Sequence, residues 1–285
     1  MTDSRRYREI GVTPLSAALG AQIDGVDLAQ PLSDSVMAEL KDAFATYSVI
    51  FFRDQSLSPQ QHIDLAEQWG EININRFFKP LDGYPQIAEV IKAPDQKENI
   101  GGTWHTDHSY DQIPAMGSML YARQVPPAGG DTLFASMTLA FEALSDGMKK
   151  TLLGLNAWHS SRHAFGYGVS DSEHYEDGRL ANPELAVQDA LHPVIITHPL
   201  SGKKALYVNA DFTVRFDGWT IEESQPLLDF LYAHGAREEF TCRFEWQEGS
   251  IALWDNRATW HNAMNDYHGH RRVMHRITLE GVAFQ

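Results

Sequence analysis

Apolar residues recur at helical spacing in two N-terminal segments. Val36, Met37, Leu40, Ala43, Phe44 and Tyr47 share one face of a 3.6-residue period, and Ser33 ahead of them offers a hydroxyl to cap the free backbone N–H groups. Ser58-Pro59 opens a second helix, with proline where a missing N–H costs nothing. Ile63, Leu65, Ala66 and Trp69 form its apolar positions, and Gly70 ends it. Between them, Val49-Ile50-Phe51-Phe52 is a short run of β-favouring residues that predicts a buried strand. The middle of the chain reads as loop-rich. Pro126-Pro127-Ala128-Gly129-Gly130 forms a turn cluster before the strand-like Thr132-Leu133-Phe134, and short helices are expected near Leu139–Leu144 and Asp146–Leu153. Gly218–His234 predicts a helix interrupted early by Pro226. The C-terminal third predicts strands at Ala205–Asn209, Phe240–Trp246, Ser250–Asp255 and Val273–Leu279, with Gln247-Glu248-Gly249 as a hairpin turn between two of them. The pattern is mainly β with flanking helices, a β-sandwich or jelly roll. No repeat, low-complexity tract or linker divides it, so one domain over residues 1–285 is expected.

Composition narrows the function classes. The 285 residues include 43% hydrophobic and 21% charged, enough for a sizeable core. Against 23 basic residues stand 38 acidic ones, a formal net charge of −15. Such a field repels phosphate backbones and anionic lipid, which argues against nucleic-acid and membrane partners and requires a local cationic pocket for any anionic substrate. The one cysteine, Cys242, rules out an intrachain disulfide and a cysteine-based zinc site, in keeping with a reducing compartment. Met1–Thr13 has arginines but no following apolar run, so no signal peptide is expected, and no stretch of roughly 18 apolar residues predicts a membrane span. A cytoplasmic protein is the expectation.

Candidate chemistry begins at Trp104-His105-Thr106-Asp107. On an extended strand His105 and Asp107 would point to one face, although on the tripeptide alone a surface histidine beside an unrelated aspartate is the favoured reading. A second segment, Leu253 to His261, leaves a predicted strand and ends in histidine, and Arg272, Met274 and Arg276 then alternate onto one strand face. Two histidines and a carboxylate leave positions open on a metal, which suits non-haem iron(II), and a nearby arginine can pair bidentately with a co-substrate carboxylate.

With these residues in place, the chain resembles the taurine dioxygenase/2,4-dichlorophenoxyacetate dioxygenase family over nearly its whole length. The resemblance runs through Gly20–Leu28, Val49–Gln55, Trp104–Asp107, Gly129–Thr132, Trp254–Arg257, His261 and, eleven residues on, Arg272. It implies a double-stranded β-helix with iron(II) held by His105, Asp107 and His261, and the far carboxylate of 2-oxoglutarate held by Thr132 and Arg272. It further implies O2-dependent hydroxylation coupled to release of succinate and CO2, with C–S or C–O cleavage where the oxidised carbon bears a leaving group. A homo-oligomer, dimer or tetramer, is implied as well. Arg276 matches the position that binds the substrate's anionic group, and Phe165 and Phe212 match apolar pocket positions. Departures from the taurine enzyme are Asn75 in place of a histidine, Phe78 of a tyrosine, Gly101 of an asparagine and Ala164 of a serine. Losing these polar groups argues against taurine and for an aryl or alkyl carboxylate, sulfonate or sulfate ester.

Two other readings compete: a zinc hydrolase on the same three ligands, which needs a carboxylate base, and a non-catalytic jelly roll with a vestigial site. His108, Ser109, Tyr110, His159, His163, His268, His270 and His275 have no ligand role in the resemblance. Trp254 and Trp260 read as core, and Asp255 and Asn256 as a brace for the turn before His261.

Overall fold

The computed structural model describes residues 7–169 and 172–284; the first six positions of the Met1–Thr13 stretch lie outside the described residues. Both N-terminal helices form as their caps dictate. Asp34–Tyr47 starts where the Ser33 hydroxyl accepts from the Val36 N–H, and Pro59–Trp69 starts at a reciprocal box between Ser58 and Gln61.

These helices cover one face of a large sheet. Among the described residues it has nine strands, in the order Gly11–Pro14, Ala21–Asp24, Val49–Phe52, Ile251–Asp255, Gly117–Gln124, Arg272–Leu279, Tyr84–Lys92, Pro80–Leu81, with Ile72–Asn73 beside Arg272–Leu279. Side chains alternate across it with period two. Ile50, Phe52, Met119, Tyr121, Ile251, Leu253, Ile277 and Leu279 pack outward under the helices with Leu40, Phe44, Ile63 and Trp69. Val49, Phe51, Leu120, Ala122, Ala252, Trp254 and Met274 point inward, where they meet Phe134 and Phe244 of a second sheet and Trp246 just beyond it. That sheet is Thr241–Phe244, Thr132–Ser136, Thr259–Ala263. Phe51 stacks on Phe244 at 4.1 Å, which closes part of the space between the two sheets. The second sheet's other face is buried by Met137–Glu142 and Ile221–Gly235 through Ala135, Phe141, Leu228, Leu231 and Trp260. The two facing sheets are the jelly roll.

Four local expectations need correction. Thr241–Phe244 pairs with Thr132–Ser136, while Ile251–Asp255 lies between Val49–Phe52 and Gly117–Gln124. Both edges of the latter strand are therefore occupied, and the turn at 247–249 is an arch from one sheet to the other instead of a hairpin. Ile221–Gly235 runs unbroken through Pro226. The proline frees only the carbonyl of Glu222, which is exposed and open to water. Trp104–Asp107 is not a strand; it contributes a single β-bridge at His105. The loop-rich middle also holds two long strands of the large sheet, Tyr84–Lys92 and Gly117–Gln124. Smaller shifts occur at Met137–Glu142, which Ser136 caps earlier than expected, and at Lys204–Leu206, shorter than the expected strand.

His62, on the buried face of Pro59–Trp69, has neither ring nitrogen hydrogen-bonded and lies edge-on to Tyr121. Burial, reinforced by His275 and Arg123, pushes its pKa from 6.5 down to about 3. The unfolded chain therefore binds a proton that the folded one refuses, and stability falls as pH drops from 6.5 toward 3 by about 1.4 kcal/mol per pH unit. His62→Leu is expected to shrink the stability difference between pH 7 and pH 5, measured by urea unfolding, by about 2 kcal/mol. An unchanged difference would show that His62 does not govern the acid limb.

Candidate functional site

His105 and His261 face each other across an isolated antiparallel bridge, each donating its N–H to the other's carbonyl at 3.1 and 2.8 Å. A directly opposed pair places both side chains on one face, and the two rings lie 4.1 Å apart. Asp107 brings Oδ1 to 3.7 Å from His105 Nε2 and 4.0 Å from His261 Nε2. All three residues are buried, with their ligand atoms within 4.8 Å of one another.

The surroundings prepare this set as ligands. His105 Nδ1 sits 2.8 Å from the Thr103 carbonyl, which can only accept, so Nδ1 carries a proton and Nε2 is the nitrogen turned toward Asp107 and His261. Burial and the neighbouring His105 push the His261 pKa down to about 3, so the His261 imidazole is neutral at ordinary pH. Burial alone would raise the Asp107 pKa, but Arg276 and the histidines hold it far below the usual carboxylate range. Its Oδ2 accepts from the Ser118 hydroxyl at 2.7 Å, and Ser118 is held in turn by the Asn256 amide at 3.2 Å. Asp255 is buried between Arg257 and His198, and its carbonyl accepts from Thr259 Oγ1, which pins the turn that leads to His261. Two imidazoles and one carboxylate are a donor set that fits iron(II) with coordination positions to spare.

Arg272 and Arg276 share the inward face of their strand with Met274. Arg272 is buried, and its Nε and Nη2 have no hydrogen-bond partner. A buried guanidinium in that condition calls for an anion, and a co-substrate carboxylate fits. Gly130, at φ +71°, packs against the Arg272 stem, and a Cβ there would crowd Pro126 Cγ at 3.1 Å, Tyr267 Cδ1 at 3.2 Å and Arg272 Cδ at 3.3 Å. Thr132 Oγ1 accepts from Trp246 Nε1 at 2.9 Å and keeps its own O–H free to donate. Arg276 approaches Asp107 Oδ1 to 3.4 Å and lies over the Phe78 ring at 4.3 Å.

One cavity of about 390 Å³ joins these groups. His105, Asp107, His261, Thr132, Arg272 and Arg276 line it, as do Asn75, Phe78, Phe165 and Phe212. Gly101 and Ala164 line it too, so all four departures from the taurine enzyme lie on its wall. Among the residues given no ligand role, His108, Tyr110, His163 and Trp254 also reach the cavity. His159 does not; it is buried against Ser109 and Thr213. His268 and His270 are exposed, and His275 faces outward from its strand. Sequence reasoning missed Val90, Ile100, His174, Leu180 and Asp211 as wall residues. Ile100 could have been found as the neighbour of Gly101; His174 and Leu180 come from segments with no periodic pattern.

The family model described as "Taurine catabolism dioxygenase TauD, TfdA family" matches residues 11–278. The chain is 32% identical to an alpha-ketoglutarate-dependent sulfate ester dioxygenase of Pseudomonas putida, over 96% of this chain and 90% of that protein. It is 31% identical to an alpha-ketoglutarate-dependent 2,4-dichlorophenoxyacetate dioxygenase of a Burkholderia species, over 91% of each. A crystal structure of a taurine dioxygenase from Burkholderia xenovorans superposes with a TM-score of 0.81 at 34% identity, covering 96% of this chain and 92% of that one.

Gly101 has φ +79°, and a Cβ there would stand 3.2 Å from His105 Cε1. Gly101→Ala is expected to weaken iron(II) binding roughly tenfold through strain on His105, read by chelator competition, with the far-ultraviolet circular dichroism unchanged. Undiminished affinity would mean that the 101 backbone does not seat His105.

Proposed function

Because the chain belongs to the taurine catabolism dioxygenase TauD, TfdA family, we propose that His105, Asp107 and His261 hold iron(II), Thr132 and Arg272 hold the far carboxylate of 2-oxoglutarate, and Arg276 receives the anionic group of a small organic substrate. The protein is an iron(II)- and 2-oxoglutarate-dependent dioxygenase. When bound, the metal and co-substrate supply the oxidation, in which O2 and 2-oxoglutarate are converted with the substrate to succinate, CO2 and hydroxylated product.

The chain's own residues bind, orient and exclude water. Arg272 is the observation that carries the co-substrate assignment, because it is a buried cation with unspent donors beside the ligand set. Thr132 adds a hydroxyl donor from the facing sheet. Phe78, Val90, Leu120, Phe165, Leu180 and Phe212 make the cavity wall apolar, so a substrate's hydrocarbon part displaces water there while Arg276 meets its charge. The relatives named for sulfate esters and for 2,4-dichlorophenoxyacetate match that combination. We therefore favour an alkyl or aryl sulfate ester, sulfonate or carboxylate, with cleavage where the oxidised carbon carries the leaving group.

Taurine is the second reading, favoured by the taurine dioxygenase structure. Against it, Phe78 and Ala164 bring no hydroxyl to the wall, Gly101 brings no amide, and a short zwitterion leaves most of the apolar wall uncovered. The zinc-hydrolase alternative is not supported. Asp211 is the further carboxylate on the described wall, but it accepts from Thr103 and lies on the Nδ1 side of His105, away from the ligand atoms. A dimer or tetramer, a single domain over 1–285 and a cytoplasmic setting complete the proposal, on the family resemblance and the free buried Cys242.

Succinate release should be stimulated more by hexyl sulfate, hexanesulfonate or 2,4-dichlorophenoxyacetate than by taurine; taurine as the best substrate would overturn the pocket reading. Arg276→Ala should raise KM for that substrate about 30-fold or more and leave KM for 2-oxoglutarate little changed, and Arg272→Ala should do the opposite. The reverse pattern would show the two roles exchanged.

A further inference from the structure

A chain of hydrogen bonds runs from the protein surface to the cavity wall and ends at Asn75. Arg76, partly exposed, brings Nη2 to 2.6 and 2.7 Å from the Asp111 carboxylate oxygens. Asp111 Oδ2 lies 2.9 Å from His108 Nδ1. His108 is 2% exposed and lines the cavity, and its Nε2 lies 3.5 Å from Asn75 Nδ2. Asn75 Oδ1 accepts from the backbone N–H groups of Phe77 and Phe78 at 2.9 and 3.0 Å.

Counting donors and acceptors gives the chain a direction. An ionised Asp111 only accepts, so Arg76 and His108 Nδ1–H both donate to it. The Asn75 atom that faces His108 Nε2 is the amide nitrogen, which can only donate, so Nε2 accepts one N–H from Asn75. The two backbone donors fix which end of the Asn75 amide is oxygen, a choice that is otherwise ambiguous. One Asn75 N–H is then left, on an amide that lines the cavity. His108 also holds a left-handed backbone, φ 59°, where glycine would sit without strain. The Asp111 contacts, side chain at Nδ1 and backbone N–H to the His108 carbonyl at 3.1 Å, secure it there. Phe78, whose N–H Asn75 holds, is the ring beneath the Arg276 guanidinium.

We propose that Arg76, Asp111 and His108 are positioning residues that hold the Asn75 amide as a fixed hydrogen-bond donor to the substrate's anionic group, beside Arg276. The head-group site then presents two separate donors, so it selects an oxyanion with at least two acceptor oxygens over a neutral group of the same shape. This rests on the anionic-substrate reading above.

The test is anaerobic calorimetry on protein loaded with iron(II) and 2-oxoglutarate, titrated with hexyl sulfate, hexanesulfonate and 2,4-dichlorophenoxyacetate, using whichever binds most tightly. Asn75→Asp keeps the shape and both backbone contacts but turns an oxygen toward the anion, and should weaken binding about tenfold or more. His108→Phe should weaken it about fivefold, and Arg76→Gln, remote from the metal ligands, about threefold. Placed on an Asn75→Ala background, either change should cost less than about twofold further, because the chain then has nothing to position. Full additivity, or His108→Phe and Arg76→Gln both without effect where Asn75→Asp has one, overturns this inference and leaves the anionic-substrate reading standing. If none of the three anions binds, the anionic-substrate reading fails and this inference falls with it. Should His108→Phe not fold, the Arg76→Gln cycle alone decides.

Discussion

The site depends on the pair of backbone hydrogen bonds that join His105 to His261. One histidine lies in a loop and the other in the strand Thr259–Ala263 of the smaller sheet, with 155 residues of chain between them. The bridge makes them directly opposed neighbours, so the two imidazoles share a face without any side-chain contact being needed to align them. Everything else is arranged around that pairing. The Thr103 carbonyl sets the tautomer of His105, Ser118 and Asn256 hold the carboxylate of Asp107, and the buried Asp255–Arg257–His198 group fixes the turn that delivers His261.

The second constraint is charge. A chain of net charge −15 must bind anions in a pocket whose ligand carboxylate is itself negative. It does so by placing two arginines on the inward face of one strand, Arg272 with donors unspent and Arg276 against Asp107 and Phe78. Burying these cations is unfavourable unless they are paired. Pairing with the anionic groups of co-substrate and substrate offsets the cost of burying them, which couples affinity to the burial that the surrounding jelly roll enforces.

Much of this was legible in the sequence where a local rule was strong. Ser33, Ser58 and Pro59 placed the helix starts because capping is set by a few adjacent atoms. Alternation placed Arg272 and Arg276 on one strand face. The strands Tyr84–Lys92 and Gly117–Gln124 escaped, since their mixed polar and apolar order reflects two differently covered faces. The 247–249 turn was misread because strand pairing is decided by distant partners, Val49–Phe52 and Gly117–Gln124, that no local window contains. The convergence of His105 and Asp107 was expected on the assumption of an extended strand; a single bridge and a turn bring them together instead. The wall residues His174, Leu180 and Asp211 come from loops and short helices, where no periodicity marks a buried face.

The central claim is that these three side chains and Arg272 bring iron(II) and a 2-oxo acid together. It is tested most directly by adding iron(II) and then 2-oxoglutarate to the protein under anaerobic conditions and recording the visible spectrum. Keto-acid chelation at the metal predicts a weak charge-transfer band that needs both additions and is lost in His261→Ala. No band from wild-type protein at saturating iron(II), or a band undiminished in His261→Ala, would contradict the account.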